Sequence, residues 1–120
     1  MKILVVDDMP LMRHVLINML RKLNFHEIVE ATDGIQAFAL MQQQHFDLVI
    51  TDLHMPKMDG KALLTRIRDN EQWNEIPVLM VTCEDNKKSI KEIIAAKVSG
   101  FIVKPFNLNT LESQLKKIVK

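Results

Sequence analysis

Four places in this 120-residue chain carry side chains that could do chemistry together: the acid pair Asp7-Asp8, then Asp52, then Thr82, then Lys104 followed by Pro105. Three carboxylates gathered in one pocket repel. Two unit charges about 4 Å apart cost roughly 4 kcal/mol at an effective dielectric of about 20. Such a cluster must take up protons or hold a cation. An oxygen-only donor set, without histidine or cysteine, selects a hard ion, Mg2+ rather than Zn2+. Three aspartates with Lys104 leave two negative charges, which one Mg2+ neutralises. A neutralised carboxylate site can accept a phosphoryl group. Asp52 would be the nucleophile, forming an acyl phosphate. Mg2+ and Lys104 would neutralise the transferring oxygens, and the Thr82 hydroxyl would hydrogen-bond one of them.

Each residue also has a plainer reading when taken singly. Asp8 could cap the helix that follows it. Asp52 could be a turn residue. Thr82 could simply end a strand, and Lys104 could be a solvated surface charge. The chemical reading requires a fold that brings the four places together.

The hydrophobic pattern supplies one. Short apolar runs at Ile3–Val6, Leu48–Thr51, Val78–Val81 and Phe101–Val103 are nearly unbroken, as strands buried on both faces of a parallel sheet are. A mixed run, Glu27–Ala31, fits an edge strand. Between the runs lie helical patterns. Leu11 to Leu23 carries one apolar stripe. Asp33-Gly34 opens a second helix with Ile35, Phe38 and Met41, and Asp59-Gly60 a third with Leu63, Leu64 and Ile67. Asp85 or Asn86 can cap a fourth with Ile90, Ile93 and Ile94, and the last runs from Asn107 through Ile118. The pattern is (βα)5 over residues 1–120, read as one domain without an output domain. Right-handed crossovers make it an α/β doubly wound three-layer sandwich around a five-stranded parallel sheet. Ligands of such sheets bind beyond the carboxyl ends of the strands. Strands 1, 3, 4 and 5 end in Asp7-Asp8, Asp52, Thr82 and Lys104-Pro105, so the fold would deliver all four places to one edge.

Composition narrows the classes. With 48% hydrophobic and 26% charged residues the chain is neither disordered nor low in complexity. A net charge of +1 argues against a nucleic-acid binder or a polybasic membrane protein. That total hides a division: residues 1–60 hold five bases and eight acids, residues 61–120 eleven bases and seven acids. One cysteine, Cys83, cannot form an internal disulfide, and no apolar run approaches a membrane span, so a cytoplasmic protein is expected. Cys83 reads as a partly buried small apolar residue, and His14, His26 and His45 as surface or helix-face histidines. Lys87, Lys88, Lys91 and Lys97 on the fourth helix read as a solvated face or a docking surface for an acidic segment.

The residues at these strand ends resemble the receiver domain of two-component response regulators over the whole chain. The signature is Asp7-Asp8, Asp52 within Thr51-Asp52-Leu53-His54-Met55-Pro56-Lys57-Met58-Asp59-Gly60, Thr82, and Lys104-Pro105-Phe106. The resemblance implies a flavodoxin-like fold with strand order 2-1-3-4-5, for which a member of this family is itself the standard example. It implies that Asp52 is the phospho-acceptor, charged by a histidine kinase. Asp7, Asp8 and Asp52 would be Mg2+ carboxylates, with the His54 backbone carbonyl a further ligand. Thr82 and Phe101 would be a switch pair, His54 and Glu84 would tune hydrolysis, and the Lys104-Pro105 peptide would be cis. Among stand-alone members, Met12-Arg13, Asn24-Phe25, Glu84 and Lys104-Pro105-Phe106 look most like the chemotaxis regulators of the CheY type. That implies a CheA-type kinase, a flagellar motor-switch target acting on the helix 4–strand 5–helix 5 face, a possible phosphatase, and a monomer. Leu53 and His54 stand where the CheY type carries tryptophan and asparagine. Asn24 and Lys97 stand at helix exits where glycine is frequent. A left-handed Lys97 would cost roughly 1 kcal/mol.

Three other readings remain beside the switch. A receiver excised from a longer transcription regulator, or a phosphorelay intermediate, would share every motif. A haloacid-dehalogenase-like phosphatase also uses Asp, Thr, Lys and Mg2+, but wants Asp-x-Asp after its first strand, where this chain has adjacent Asp7-Asp8. A flavodoxin-like carrier wants a Ser/Thr/Gly-rich phosphate loop there, which two aspartates would oppose.

Overall fold

The structure, a computed structural model, describes residues 1–83 and 87–119. Five strands, β1 (Lys2–Val6), β2 (Glu27–Ala31), β3 (Leu48–Asp52), β4 (Val78–Thr82) and β5 (Gly100–Val103), alternate with five helices. These are α1 (Pro10–Lys22), α2 (Gly34–Gln43), α3 (Gly60–Arg68), α4 (Lys87–Ala95) and α5 (Leu108–Ile118). Every neighbouring pair of strands is parallel, in the order β2-β1-β3-β4-β5. The fold is therefore the doubly wound three-layer sandwich expected.

Alternation along the strands divides the core in two. Ile3, Val5, Leu48, Ile50, Leu79, Val81 and Ile102 face Leu16, Ile17 and Leu20 of α1 and Leu111 and Leu115 of α5. Leu4, Val6, Val49, Val78 and Met80 face Ala37 and Met41 of α2, Leu63, Leu64 and Ile67 of α3 and Ile93 of α4. Both faces of the central strands are covered, which is why their sequences show no polar alternation. β2 is half-exposed, as its mixed composition predicts for an edge.

Helix starts follow local chemistry. Asp33, Asp59 and Asn107 are N-caps whose side chains accept from the amides of Gln36, Ala62 and Thr110. α1 starts differently: Pro10 occupies the first turn, and the cap residue is Met9, with no side-chain cap bond. Asp8 therefore does not cap α1, and its plain reading is overturned. The Asp85 or Asn86 cap of α4 lies outside the described residues, as does Glu84.

Two helix exits are left-handed. Asn24 has φ 72° and Lys97 has φ 68°. In each, the following amide bonds back five residues, Phe25 to the Leu20 carbonyl at 3.0 Å and Val98 to that of Ile93 at 3.1 Å. This is the pattern that favours glycine or asparagine at the turning residue. Lys57 also has positive φ, 69°, in the β3–α3 loop, which the sequence did not signal. Cys83 is exposed, not partly buried: it follows Thr82, the last paired residue of β4, where the sheet ends. Replacing Lys97 by glycine is expected to stabilise the fold by up to about 1 kcal/mol, partly offset by glycine's entropy when unfolded. Urea denaturation of Lys97→Gly checks this, and a loss of stability would contradict it.

Candidate functional site

The carboxyl edge of the sheet gathers the acids. Asp7 follows β1, which lies beside β3, and Asp52 is the last residue of β3. One oxygen from each of Asp7, Asp8 and Asp52 lies within 4.8 Å of the others. Asp7 is buried, Asp52 nearly so, and Asp8 exposed, so the cluster opens to solvent on the Asp8 side. Lys104, just past β5, brings Nζ to 3.3 Å from Asp7 Oδ2 and 3.6 Å from Asp52 Oδ2. Its side chain is only 14% exposed, so it is no solvated surface charge. The Lys104–Pro105 peptide is cis.

Backbone groups hold this arrangement. The Met9 amide donates to Asp7 Oδ1 at 2.9 Å. The Leu53 amide donates to Asp52 Oδ1 at 2.9 Å and continues the ladder to the Val81 carbonyl at 3.1 Å. The Lys104 amide donates to the Thr82 carbonyl at 2.7 Å, joining the ends of β4 and β5. Thr82 is buried at the end of β4, in register with Val103. Phe101, opposite Met80, is half-buried against the α2–α3–α4 side of the core. His54 is exposed two residues past Asp52.

The loop after Asp52 is tightly confined. The Gly60 amide donates to the Leu53 carbonyl at 2.8 Å, closing the turn into α3. A Cβ on Gly60 would lie 2.2 Å from the Asp52 carbonyl oxygen and 2.9 Å from Met80 Sδ. A Cβ on Gly34 would lie 2.6 Å from the Met58 carbonyl oxygen, which the Gly34 amide bonds at 3.1 Å. Both Asp-Gly pairs read in the sequence as helix openings are thus also close backbone contacts, which no residue pattern announced. Sequence reasoning also missed the bracing of the acid pair. Arg13 Nη1 donates to the Asp7 carbonyl at 2.7 Å while its Nε donates to Glu30 Oε1 at 3.0 Å.

Burial raises the Asp52 pKa above its ordinary value. Lys104 opposes that shift, neighbouring Asp7 adds to it, the Leu53 amide opposes it, and Asp8 adds to it. The carboxylate is thus held ionisable and poorly solvated, a condition suited to a reacting group. An all-oxygen donor set of three converging carboxylates, open on one side, fits a hard divalent cation such as Mg2+.

The chain belongs to the response regulator receiver domain family, whose description, "Response regulator receiver domain", matches residues 3–116. Among its relatives is the chemotaxis protein CheY-3 of Vibrio cholerae serotype O1, 46% identical over 118 residues, 98% of this chain and 91% of the relative. The solved structure of the Vibrio cholerae chemotaxis protein CheY4 superposes with a TM-score of 0.90 at 34% identity, covering 98% of both chains. The receiver domain of a sensor histidine kinase from Pseudomonas aeruginosa PAO1 was solved with a magnesium ion coordinated in its active site cleft. It superposes with a TM-score of 0.88 at 27% identity, covering 99% of this chain and 98% of that one.

Two outcomes follow from the geometry. Because the folded Asp52 binds its proton more tightly than the unfolded chain does, its stability contribution falls as pH rises from the ordinary carboxylate range through the raised value. Asp52→Asn is therefore expected to be more stable than wild type at pH 7, by about 1 kcal/mol, as when a destabilised functional group is relieved. Lys104 keeps Asp7 as its partner in that variant. The advantage should vanish at acid pH, where wild-type Asp52 is also neutral, and urea titrations at the two pH values measure it. Gly60→Ala, by contrast, should cost about 3 kcal/mol or more through overpacking against backbone, read as a lower melting temperature.

Proposed function

We propose that this chain is a phospho-accepting switch of a two-component system, with Asp52 as the acceptor. The observation that carries this reading is a nearly buried carboxylate at the end of β3, facing one ammonium and two further carboxylates. The donor would be a phosphohistidine of a kinase. The ionised Asp52 carboxylate attacks phosphorus, a P–O bond forms, the P–N bond breaks, and the imidazole leaves with a proton from solvent. Lys104, held between Asp7 and Asp52, orients and stabilises the ionised carboxylate and the transferring oxygens. Asp7, Asp8 and Asp52 would hold Mg2+, with the His54 backbone carbonyl a further oxygen ligand. When bound, the ion supplies neutralisation of phosphoryl charge.

Thr82 would bond the phosphoryl group, and Phe101 would repack behind it, biasing a two-state equilibrium at the α4–β5–α5 face. His54, and Glu84 outside the described residues, would tune hydrolysis. The chemotaxis names of the relatives support a role in flagellar motor control. The partners would then be a CheA-like kinase, a motor-switch target and a phosphatase, met by a monomer in the cytoplasm, with no nucleic acid or membrane. Among the described residues no helix is long and apolar enough to cross a membrane.

The test is phosphoryl uptake from a small acyl-phosphate donor with Mg2+, read by intact-protein mass. Wild type should gain one phosphoryl group, Asp52→Asn none, and Lys104→Ala should react about 10²-fold more slowly or worse. Uptake by Asp52→Asn at the wild-type rate would refute the acceptor assignment. A pull-down with and without a phosphoryl mimic should change its partners, and identical partners would refute the switch.

A further inference from the structure

Arg13 sits one turn into α1, its side chain only 13% exposed. Its guanidinium forks. Nη1 donates to the Asp7 backbone carbonyl at 2.7 Å, and Nε donates to Glu30 Oε1 at 3.0 Å. The Arg13 amide meanwhile closes the first turn on the Met9 carbonyl at 3.1 Å. One residue thus ties together α1, the loop that carries the acid pair, and the edge strand β2.

The two acids of the pair depend on this differently. The Asp7 carboxylate has its own restraints, the Met9 amide and Lys104. Asp8 is exposed, so its place in the cluster follows from the backbone that carries it. The bond to the Asp7 carbonyl sets the plane of the Asp7–Asp8 peptide, and so the direction from which Asp8 reaches the cluster. Glu30 matters twice. It holds the far side of the fork, and it neutralises the guanidinium, so Arg13 brings geometry to the acids without a bare positive charge that would compete with a cation.

We infer that Arg13, tied down by Glu30, is a positioning residue for the cation site, presenting Asp7 and Asp8 together with Asp52. This rests on the Mg2+ reading proposed above. Groups that orient ligands in this way change metal affinity by about 10- to 100-fold when removed. A planar fork is needed, because a lysine ammonium cannot span the carbonyl and the carboxylate with the same geometry.

The experiment is calorimetric titration of Mg2+ into wild type, Arg13→Ala, Arg13→Lys and Glu30→Ala, with a thermal melt of each. Arg13→Ala is expected to weaken Mg2+ binding about tenfold, Glu30→Ala to weaken it less, and Arg13→Lys to recover only part. In phosphorylation from a small acyl-phosphate donor, the half-saturating Mg2+ concentration should rise by the same factor while the rate at saturating Mg2+ stays near wild type. A merely structural role would lower the melting temperature and leave the Mg2+ dissociation constant alone. Unchanged binding in folded Arg13→Ala overturns the inference. So does tighter binding, the outcome of deleting a bare positive charge. If Arg13→Ala does not fold, Glu30→Ala and Arg13→Lys decide by the same criterion. If wild type itself takes no Mg2+, the cation reading falls and this inference with it, whereas equal binding by wild type and variants removes the inference alone.

Discussion

Three carboxylates within 4.8 Å of one another, two of them largely withdrawn from water, would push the edge of this sheet apart if nothing answered their charge. Lys104 answers part of it by standing between Asp7 and Asp52, and the Met9 and Leu53 amides answer more through single hydrogen bonds. What remains is a deficit of positive charge that burial makes costly, visible in the upward shift of the Asp52 pKa. An added divalent cation would offset that deficit.

The rest of the fold keeps that cluster from relaxing. β1, β3 and β4 are covered on both faces, so their ends cannot drift. The loop after Asp52 is clamped by two glycine contacts, Gly60 against the Asp52 carbonyl and Gly34 against the Met58 carbonyl. Lys57, in a left-handed conformation, reaches Asp33 at 3.8 Å across the same junction. The start of α2, the loop after β3 and the start of α3 form one packed unit around Asp52.

α4 is held differently. Ile93 is its buried residue, and one ion pair ties it to the neighbouring helix. Lys61 of α3 pairs with Glu92 at 2.6 Å. Beyond the end of α4, Arg68 of α3, half-withdrawn from solvent and without a carboxylate partner among the described residues, donates to the carbonyls of Ile76 and Lys97 at 2.7 and 2.9 Å and to Ser99 Oγ at 3.1 Å. Lys87, Lys88 and Lys91, three of the eleven bases of residues 61–120, lie on α4.

The sequence by itself determined the five strands, the edge position of β2, and the four strand ends where the polar groups fall, because apolar periodicity and strand-end chemistry are local properties. It placed Asp7, Asp8, Asp52 and Lys104 at one edge, and the structure gathers the three carboxylates within 4.8 Å of one another with Lys104 against Asp7 and Asp52. It misread Cys83 and left Asp8 open to a capping role that Met9 and Pro10 in fact fill. It did not reveal that Gly34 and Gly60 are required by backbone contacts, that Lys57 turns left-handed, or that Arg13 joins Asp7 to Glu30. Those depend on distances between segments far apart in the chain, and such distances exist only once the sheet is assembled and its loops have packed against one another.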